Sequence, residues 1–318
     1  MGCSHAIYTV RHIVERFIKG GNTVSLCAID LSKAFDKVNH HALLMKLMKR
    51  NLPVVLIDIL ENWLKNCSSM VKWDCVLSYT FAVKFGVRQG SVLSPFLFAI
   101  YLDDIPVNRS LIPSSFVVMY ADDILLIAPS VSELQRLFHA CEFELSCLDM
   151  CINTKKSCCI RIGPRYDVKC ASISTMKGHN LPWVSEMRYL GTYIIKGRQF
   201  RCSVTNAKRS FNRSVNAIFG KVGRIASEEV TLQLVKRKCL PILLYGLECY
   251  FDLHSLDFVV MRLVMKIFRT ANKDIIDECR FFCNFPLPTE MLEIKSNKFC
   301  KKFKCNKSML RYFNISVS

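Results

Sequence analysis

The sequence predicts an α+β protein whose second part is entirely helical. Apolar segments of strand length occur repeatedly before about residue 195, and amphipathic helical patterns alternate with them. From about residue 203 onward, only helical periodicity remains. Hydrophobic residues make up 51% of the 318 residues, so the chain can build a sizeable core.

The first elements lead to a candidate metal ligand. Residues 4–19 place their apolar side chains on one helical face, and Gly20-Gly21 ends that helix. Residues 24–29 form an apolar strand that runs directly into Asp30. An acid at the end of a buried strand suits a cation, although the same residue could cap a following helix.

The next segment combines helices, a hairpin and a glycine-containing loop. Helices are predicted through Arg50 and from Pro53, and residues 70–85 have the pattern of two paired strands. The loop 86–95 then leads into an apolar helix over 96–104. Its two glycines permit a close approach of the backbone to a ligand, and its arginine can meet a phosphate. Alone, the pattern also fits an ordinary loop before a helix.

Residues 115–128 carry the most informative pattern. Two apolar strands flank Ala121 and Asp122, which predicts a β-hairpin with a two-residue turn. Asp122 and Asp123 repel each other between these strands, and a bound cation would relieve the repulsion. Asp is also common in turns, and residues 101–104 repeat the Tyr-x-Asp-Asp form at a helix end. We expect the copy between strands to carry the site.

Further elements complete the first part of the chain. A helix is predicted from Ser132 to about Met150, and a turn with two lysines follows over 153–157. Strands are predicted over Cys158–Ile162 and around 189–193. A pair of lysines in a turn is usually only solvated, so this turn carries no function by itself.

The positive charge is concentrated in the helical part. Residues 196–238 contain eleven Lys and Arg residues and two acids, and residues 294–318 add seven bases and no acid. The net charge of +18 indicates a polyanionic partner, most simply nucleic acid. An acidic membrane surface is the alternative, but the bases are spread over several segments instead of lying beside an anchor.

Seventeen cysteines without a secretory signal predict buried thiols in an intracellular protein, nuclear or cytoplasmic. Zinc is not expected, because the cysteine spacings fit no common finger or knuckle. No apolar run reaches the roughly 18–20 residues of a membrane span.

Taken in order, five of these motifs resemble the palm motifs of reverse transcriptases, most closely those of non-LTR (LINE-type) retrotransposons. The matching segments are Ala28–Asp36, Gly86–Pro95, Tyr120–Asp123, Asn153–Lys156 and Arg188–Gly191. The resemblance implies a polymerase palm, an antiparallel sheet with helices packed on one face, followed by an all-helical thumb. It implies a palm with a remnant of fingers over residues 1–195 and a basic thumb over 196–272. Residues 273–318 would form a basic C-terminal tail, helical or partly disordered.

The resemblance also implies the activity of an RNA-directed DNA polymerase. Its partners would be an RNA template, a DNA primer and dNTPs, and its cofactor two Mg²⁺ ions, for which Mn²⁺ can substitute. Asp30, Asp122 and Asp123 would be catalytic and would hold the metal together with the Leu31 carbonyl. The remaining implied residues are Phe35, Arg88, Gln89, Gly90 and Lys156 for the nucleotide, Tyr189, Leu190 and Gly191 for the primer grip, and Lys208, Arg209, Arg213, Lys221 and Arg224 for nucleic acid. Phe35 matches the steric-gate position, although a core phenylalanine would look the same.

Only 29 residues precede Asp30, fewer than the fingers region of this family occupies. We therefore expect an N-terminally truncated chain in which dNTP binding is impaired. The alternative function is that of a catalytically impaired remnant that only binds RNA or DNA. An RNA-dependent RNA polymerase would share the metal chemistry, but an aromatic residue at Phe35 argues against it.

Overall fold

The computed structural model describes residues 2–105, 114–222, 225–250 and 255–304. The chain forms two compact units. The sheet unit comprises Arg16–Met187 and Lys196–Gln199. The helical unit comprises the described residues up to Glu15, Arg188–Ile195, and the described residues from Phe200 onward.

The order of elements confirms the predicted α+β class. The strands are β1 Val24–Ile29, β2 Ser68–Ser69, β3 Lys72–Trp73, β4 Val76–Leu77, β5 Phe81–Ala82, β6 Phe116–Tyr120, β7 Asp123–Ala128, β8 Cys158–Ile162, β9 Ile173–Ser174, β10 Asn180–Leu181, β11 Glu186–Tyr189, β12 Thr192–Ile195 and β13 Arg201–Cys202. The helices are α1 Cys3–Lys19, α2 His40–Lys49, α3 Val54–Lys65, α4 Ser94–Tyr101, α5 Val131–Cys147, α6 Thr205–Val222, α7 Glu228–Leu234, α8 Leu240–Leu243, α9 Ser255–Phe268, α10 Lys273–Phe282 and α11 Pro288–Lys304. Helix α1 contributes residues to both units.

A four-stranded antiparallel sheet in the order β6-β7-β1-β8 organises the sheet unit. The two central strands are almost entirely buried, which explains why they read as continuous apolar runs in the sequence. Helix α5 packs against them with a buried face that includes Leu134, Phe138 and Leu145. Burial of apolar side chains such as these is the dominant favourable term in folding.

Local capping sets where two of the helices begin. The Ser130 hydroxyl accepts a hydrogen bond from the Glu133 N–H, and the Glu133 carboxylate accepts one from that hydroxyl. This reciprocal arrangement satisfies a free N–H in the first turn of α5. Asn39 caps α2 in a similar way by accepting from the Ala42 N–H at 3.2 Å.

The helical unit contains an interruption at the predicted place. A turn of π-helix, Val235–Cys239, separates α7 from α8, and Pro241 lies in the first turn of α8. Proline has no N–H to continue the helical ladder, so a local change of helix type accommodates it. Helices α10 and α11 lie in the segment for which the sequence left helix and disorder open, and residues 305–318 lie outside the described part. Among the described helices, none combines the length and apolar character that a membrane span requires.

The cysteines follow the prediction of buried thiols only in part. Cys27, Cys141 and Cys159 are buried, and burial raises the pKa of Cys141 to about 12. Cys75 and Cys147, in contrast, are exposed. A hydrophobicity pattern does not distinguish these classes, because cysteine behaves as a small apolar residue in either setting.

Candidate active site

The Asp-Asp hairpin has the predicted geometry. Tyr120 pairs with Asp123, so Ala121 and Asp122 form the two-residue turn between β6 and β7. Ala121 has a φ of 52°, a left-handed conformation that costs a non-glycine residue about 1–2 kcal/mol. Strained backbone of this kind often occurs at functional sites, where the surrounding structure holds it in place.

The register of the sheet brings Asp30 to the same end. The β1–β7 ladder ends at the pair Ile29 and Ile124, and the next residues along the two strands are Asp30 and Asp123. Residues directly opposite in an antiparallel pair project from the same face, with Cβ atoms about 4.5–5.5 Å apart. Asp122 is exposed in the adjoining turn, whereas Asp30 and Asp123 are half-buried. The prediction depended on β1 and β7 being neighbours, and this condition is confirmed.

The lysine turn holds the end of β1. The Asp30 carbonyl accepts from the Asn153 N–H at 2.8 Å, and the Asp30 N–H donates to Ser157 Oγ at 3.1 Å. Lys156 is exposed within the same turn, next to the buried Ser157. Sequence reasoning missed Ser157, because its hydrogen bond to Asp30 spans 127 positions and leaves no local signal.

The donor set suits a hard divalent cation. Successive carbonyls along an extended strand point to opposite edges. Because the Asp30 carbonyl points toward Asn153, the Leu31 carbonyl is directed toward the other edge of β1, on which β7 lies. Carboxylates with a backbone carbonyl are the oxygen ligands that Mg²⁺ accepts, and it usually keeps only one or two carboxylates beside phosphates and water. Within the described residues, no group of three or more His, Cys, Asp or Glu side chains meets at metal-ligand spacing. The residues at the end of β1 and in the adjoining turn supply oxygen donors of the type that Mg²⁺ prefers.

The duplicate Tyr-x-Asp-Asp motif is engaged in ion pairs instead. Asp103 pairs with Arg50, and Asp104 pairs with Lys46 at 2.9 Å. These contacts neutralise both acids at the end of α4, where the sequence predicted that a helix would end. A structural role accounts for this copy.

The loop after Phe85 is held against the segment that follows Asp30. The Val87 N–H donates to the Phe35 carbonyl at 2.8 Å, and the Phe35 ring stacks on Phe98 with centroids 4.4 Å apart. Gly86 has a φ of 85°, and a Cβ there would lie 2.9 Å from the Asp36 backbone. This glycine therefore serves a close approach between two segments of its own chain, and the expected approach of the loop to a ligand stays a prediction.

The next residues of that loop remain open to solvent. Arg88, Gln89 and Gly90 are exposed, and Gly90 has a φ of 86° with nothing within 4 Å of the Cβ position. One guanidinium nitrogen of Arg88 donates to the Ser68 carbonyl at 3.1 Å. Together with Trp63, Arg88 and Gln89 line a groove of about 520 Å³ within the sheet unit.

A second group of predicted residues lies in the helical unit. Leu190 and Gly191 have φ values of 46° and 80° and form a tight turn between β11 and β12. Positive φ at both positions is characteristic of a type I′ hairpin turn. A Cβ at Gly191 would lie 2.8 Å from the Tyr245 ring, so the hairpin and the ring pack in close contact. Tyr189, which precedes the turn, is buried.

A groove of about 580 Å³ adjoins this hairpin, and its lining includes Arg188, Arg209 and Arg213. Arg209 and Arg213 are four residues apart on α6 and therefore share one face. Lys208 is half-buried and Lys221 is exposed on the same helix, and Arg224 lies outside the described residues. Sequence reasoning had not singled out Arg188 as a cationic contact, although it directly precedes Tyr189.

Comparisons with known proteins agree with this arrangement. Residues 4–194 match the family described as reverse transcriptase (RNA-dependent DNA polymerase). The chain is 26% identical over 234 residues to the RNA-directed DNA polymerase from mobile element jockey of Drosophila melanogaster, which covers 70% of this chain and 25% of the relative. It is 31% identical over 119 residues to a probable RNA-directed DNA polymerase from transposon X-element of the same organism, covering 36% of this chain and 13% of the relative. The chain thus spans about a quarter or less of the length of these relatives.

A solved structure of a telomerase from Candida albicans, in complex with a TWJ fragment of telomeric RNA, is similar in fold. The TM-score is 0.52 at 11% identity, and the match covers 89% of this chain and 54% of that chain. At this identity the likeness concerns the fold alone.

Proposed function

The chain belongs to the reverse transcriptase (RNA-dependent DNA polymerase) family, and from this premise we propose that it is the polymerase part of a retrotransposon. Its reaction would be the transfer of a dNTP nucleotide onto a primer 3′-hydroxyl that is paired to an RNA template. The observation that carries the proposal is the register that brings Asp30 opposite Asp123, beside the Asp122 turn.

Asp30 and Asp122 are the proposed metal-binding and catalytic residues, with the Leu31 carbonyl as a further ligand and Asp123 assisting at the site. When bound, two divalent ions, Mg²⁺ or Mn²⁺, stabilise the attacking and leaving oxygens of an in-line phosphoryl transfer. The protein's part is to hold negative oxygens at the ends of two paired strands. The backbone of Asp30 is fixed there by the hydrogen bond that it accepts from the Asn153 N–H and the one that it donates to Ser157 Oγ. A rigid support of this kind favours reaction, because small errors in position are costly.

The incoming nucleotide would be bound by residues around the end of β1. Gln89 and Gly90 are open to solvent and would contact the nucleotide and the template base, with Arg88 directed at phosphate. The exposed Lys156 would neutralise or protonate the departing pyrophosphate. Phe35 would limit space beside the ribose 2′-position, and its stacking on Phe98 would keep the ring rigid.

We propose that the palm comprises residues 1–195 and the thumb residues 196–272, as expected from the sequence. In the helical unit, Tyr189, Leu190 and Gly191 would position the primer end. Arg209 and Arg213, with Lys208 and Lys221, would contact the phosphate backbone, as the exposure of both arginines allows.

Primer extension on an RNA template, with Mg²⁺ and then Mn²⁺, tests the proposal. We expect extension by the wild-type chain and a loss of more than about a hundredfold in Asp30→Asn and Asp122→Asn, because each variant removes a charge at the metal site. Asp103→Asn is the matched control, since it makes the same change in the duplicate motif. If the wild-type chain binds primed template but extends it with neither ion, the protein is a nucleic-acid-binding remnant.

A second assay addresses the substrate. Phe35→Val should increase rNTP incorporation relative to dNTP incorporation if the ring crowds the 2′-hydroxyl. Because the ring also packs on Phe98, the thermal midpoint is measured alongside. An unchanged rNTP:dNTP ratio with lowered stability would reduce Phe35 to a packing residue.

A further inference from the structure

We propose that the sheet unit carries a second binding site, separate from the Asp30 site, that takes one nucleotide unit of a single-stranded nucleic acid. The site is a cavity of about 270 Å³ beside β8. The charged and aromatic residues that line it are Arg161, Tyr166, Asp167, Lys169, Trp183 and Lys196. The inference rests on the proposed function only in taking nucleic acid as the partner.

The position of this cavity separates it from the proposed active site. Arg161 pairs with Ser25 near the beginning of β1, whereas Asp30 follows the end of that strand. Five residues of extended chain correspond to roughly 17 Å. A nucleotide bound in the cavity therefore cannot be the nucleotide at the Asp30 site, although both sites use the same rigid sheet.

The cavity is lined by several cations, one of which is held in place by a hydrogen bond. Arg161 donates from Nη1 to the Val168 carbonyl at 2.8 Å, which holds the guanidinium in place. Its Nε is buried and has no hydrogen-bond partner within the described residues. With Lys169 and Lys196 there are three cations against one carboxylate, that of Asp167. This balance suits a phosphate group.

The two aromatic side chains of the cavity are also held in place by contacts within the protein. The Trp183 indole N–H donates to the Ala171 carbonyl at 3.0 Å, and the neighbouring backbone bonds to Cys159 on β8. Lys196 Nζ lies 6.0 Å from the centroid of the Tyr166 ring, a cation–π arrangement that holds the half-buried ring beside the positive charge. Rigid aromatic rings next to cations are how proteins bind single strands with little sequence preference.

The combination distinguishes nucleic acid from other anions. An acidic peptide would use the cations but gain little from two aromatic rings, whereas each base offers a face for stacking. The cavity is slightly smaller than the roughly 300–1,000 Å³ of typical ligand pockets, which suits one nucleoside with its phosphate.

Photo-crosslinking gives a readout that is local to this cavity, which matters because the helical unit is also basic. The full chain is incubated with 5-iodouridine-containing oligonucleotides of about six residues, within the range of single-strand site sizes. RNA and DNA versions are used separately, and the one that crosslinks better identifies the strand. We expect crosslinked peptides that contain Tyr166 or Trp183. Absence of both from the mapped peptides would overturn the proposal.

Binding measured by fluorescence anisotropy supplies the second readout. Tyr166→Ala should weaken binding about tenfold, the effect of losing one stacking ring. Tyr79→Ala is the matched control, because Tyr79 lies in the same unit and is 99% exposed. Equal affinities for the two variants would overturn the proposal. So would displacement of the oligonucleotide by oligoglutamate as effectively as by unlabelled oligonucleotide, which would indicate a general polyanion surface.

Primer extension separates this inference from the proposed function. If the wild-type chain extends the primer and Tyr166→Ala binds the oligonucleotide as tightly as the wild-type chain does, only the second site is overturned. If Tyr166→Ala weakens binding but the wild-type chain extends no primer, only the proposed polymerase function is overturned. Circular dichroism of Tyr166→Ala excludes a loss of fold as the cause.

Discussion

The Asp30 N–H donates a hydrogen bond to Ser157 Oγ over 3.1 Å, and the same hydroxyl donates to the Asn153 carbonyl at 2.9 Å. One buried serine therefore ties the strand end that carries a proposed metal ligand to the lysine turn. Neither residue shows this dependence in the sequence, where 127 positions separate them.

Ser157→Ala should lower the free energy of unfolding by about 1–3 kcal/mol, because it leaves the Asp30 N–H without its acceptor. Urea denaturation measures this change. Ser115→Ala is the control, since the Ser115 hydroxyl is also buried but has no hydrogen-bond partner within the described residues. Equal destabilisation of the two variants would contradict a specific role for the Ser157 hydrogen bond.

Ala121→Gly should stabilise the chain by about 0.5–1 kcal/mol. Glycine relieves the left-handed strain at φ 52°, and part of that gain is offset by the greater freedom of glycine in the unfolded state. Ala128→Gly, within the buried strand β7, should instead destabilise. Thermal and urea unfolding of both variants test the assignment of strain to the turn, which a destabilised Ala121→Gly would refute.

Gly86 and Gly90 allow a comparison between two glycines with nearly the same backbone angle. Gly90→Ala should cost about 1–2 kcal/mol, because only the positive φ opposes the added methyl group. Gly86→Ala should cost more, since its methyl group would also meet the Asp36 backbone at 2.9 Å. Chemical denaturation of both variants gives the difference. A similar cost for both would mean that the loop can move away from Asp36.

Arg209→Gln and Arg213→Gln should each weaken binding of a primed template and reduce its dependence on salt. Each phosphate contact that is lost lowers the slope of log K against log [salt] by about 0.7–0.9. Anisotropy titrations over a range of salt concentrations measure that slope. Lys72→Gln removes an exposed charge from the sheet unit and should leave the slope unchanged. If both arginine variants show the same slope as the wild-type chain, phosphate contacts by Arg209 and Arg213 are excluded.

The sequence was sufficient where local pattern and global fold agree. Two apolar runs separated by Ala121 and Asp122 leave room for a two-residue turn only, and the structure has that turn. The helical break near Pro241 was also predictable, because proline cannot continue the ladder.

The remaining features depend on contacts between distant segments. Gly86 has the same local signal as Gly90, and only the packed position of Asp36 distinguishes them. Helices α10 and α11, in contrast, had usable local signals in the Asn272 cap and in Pro288 at a helix start. The tail could therefore have been predicted as helical up to Lys304.

The two-residue turn also makes the site sensitive to changes in length. A deletion between Tyr120 and Asp123 leaves too few residues for the turn, so the pairing of β6 with β7 would have to change. A one-residue change of register turns every side chain of a strand to the other face. An insertion, in contrast, can be absorbed by a longer loop while the two strands keep their pairing. The length of this turn is therefore restricted toward shortening and not toward lengthening.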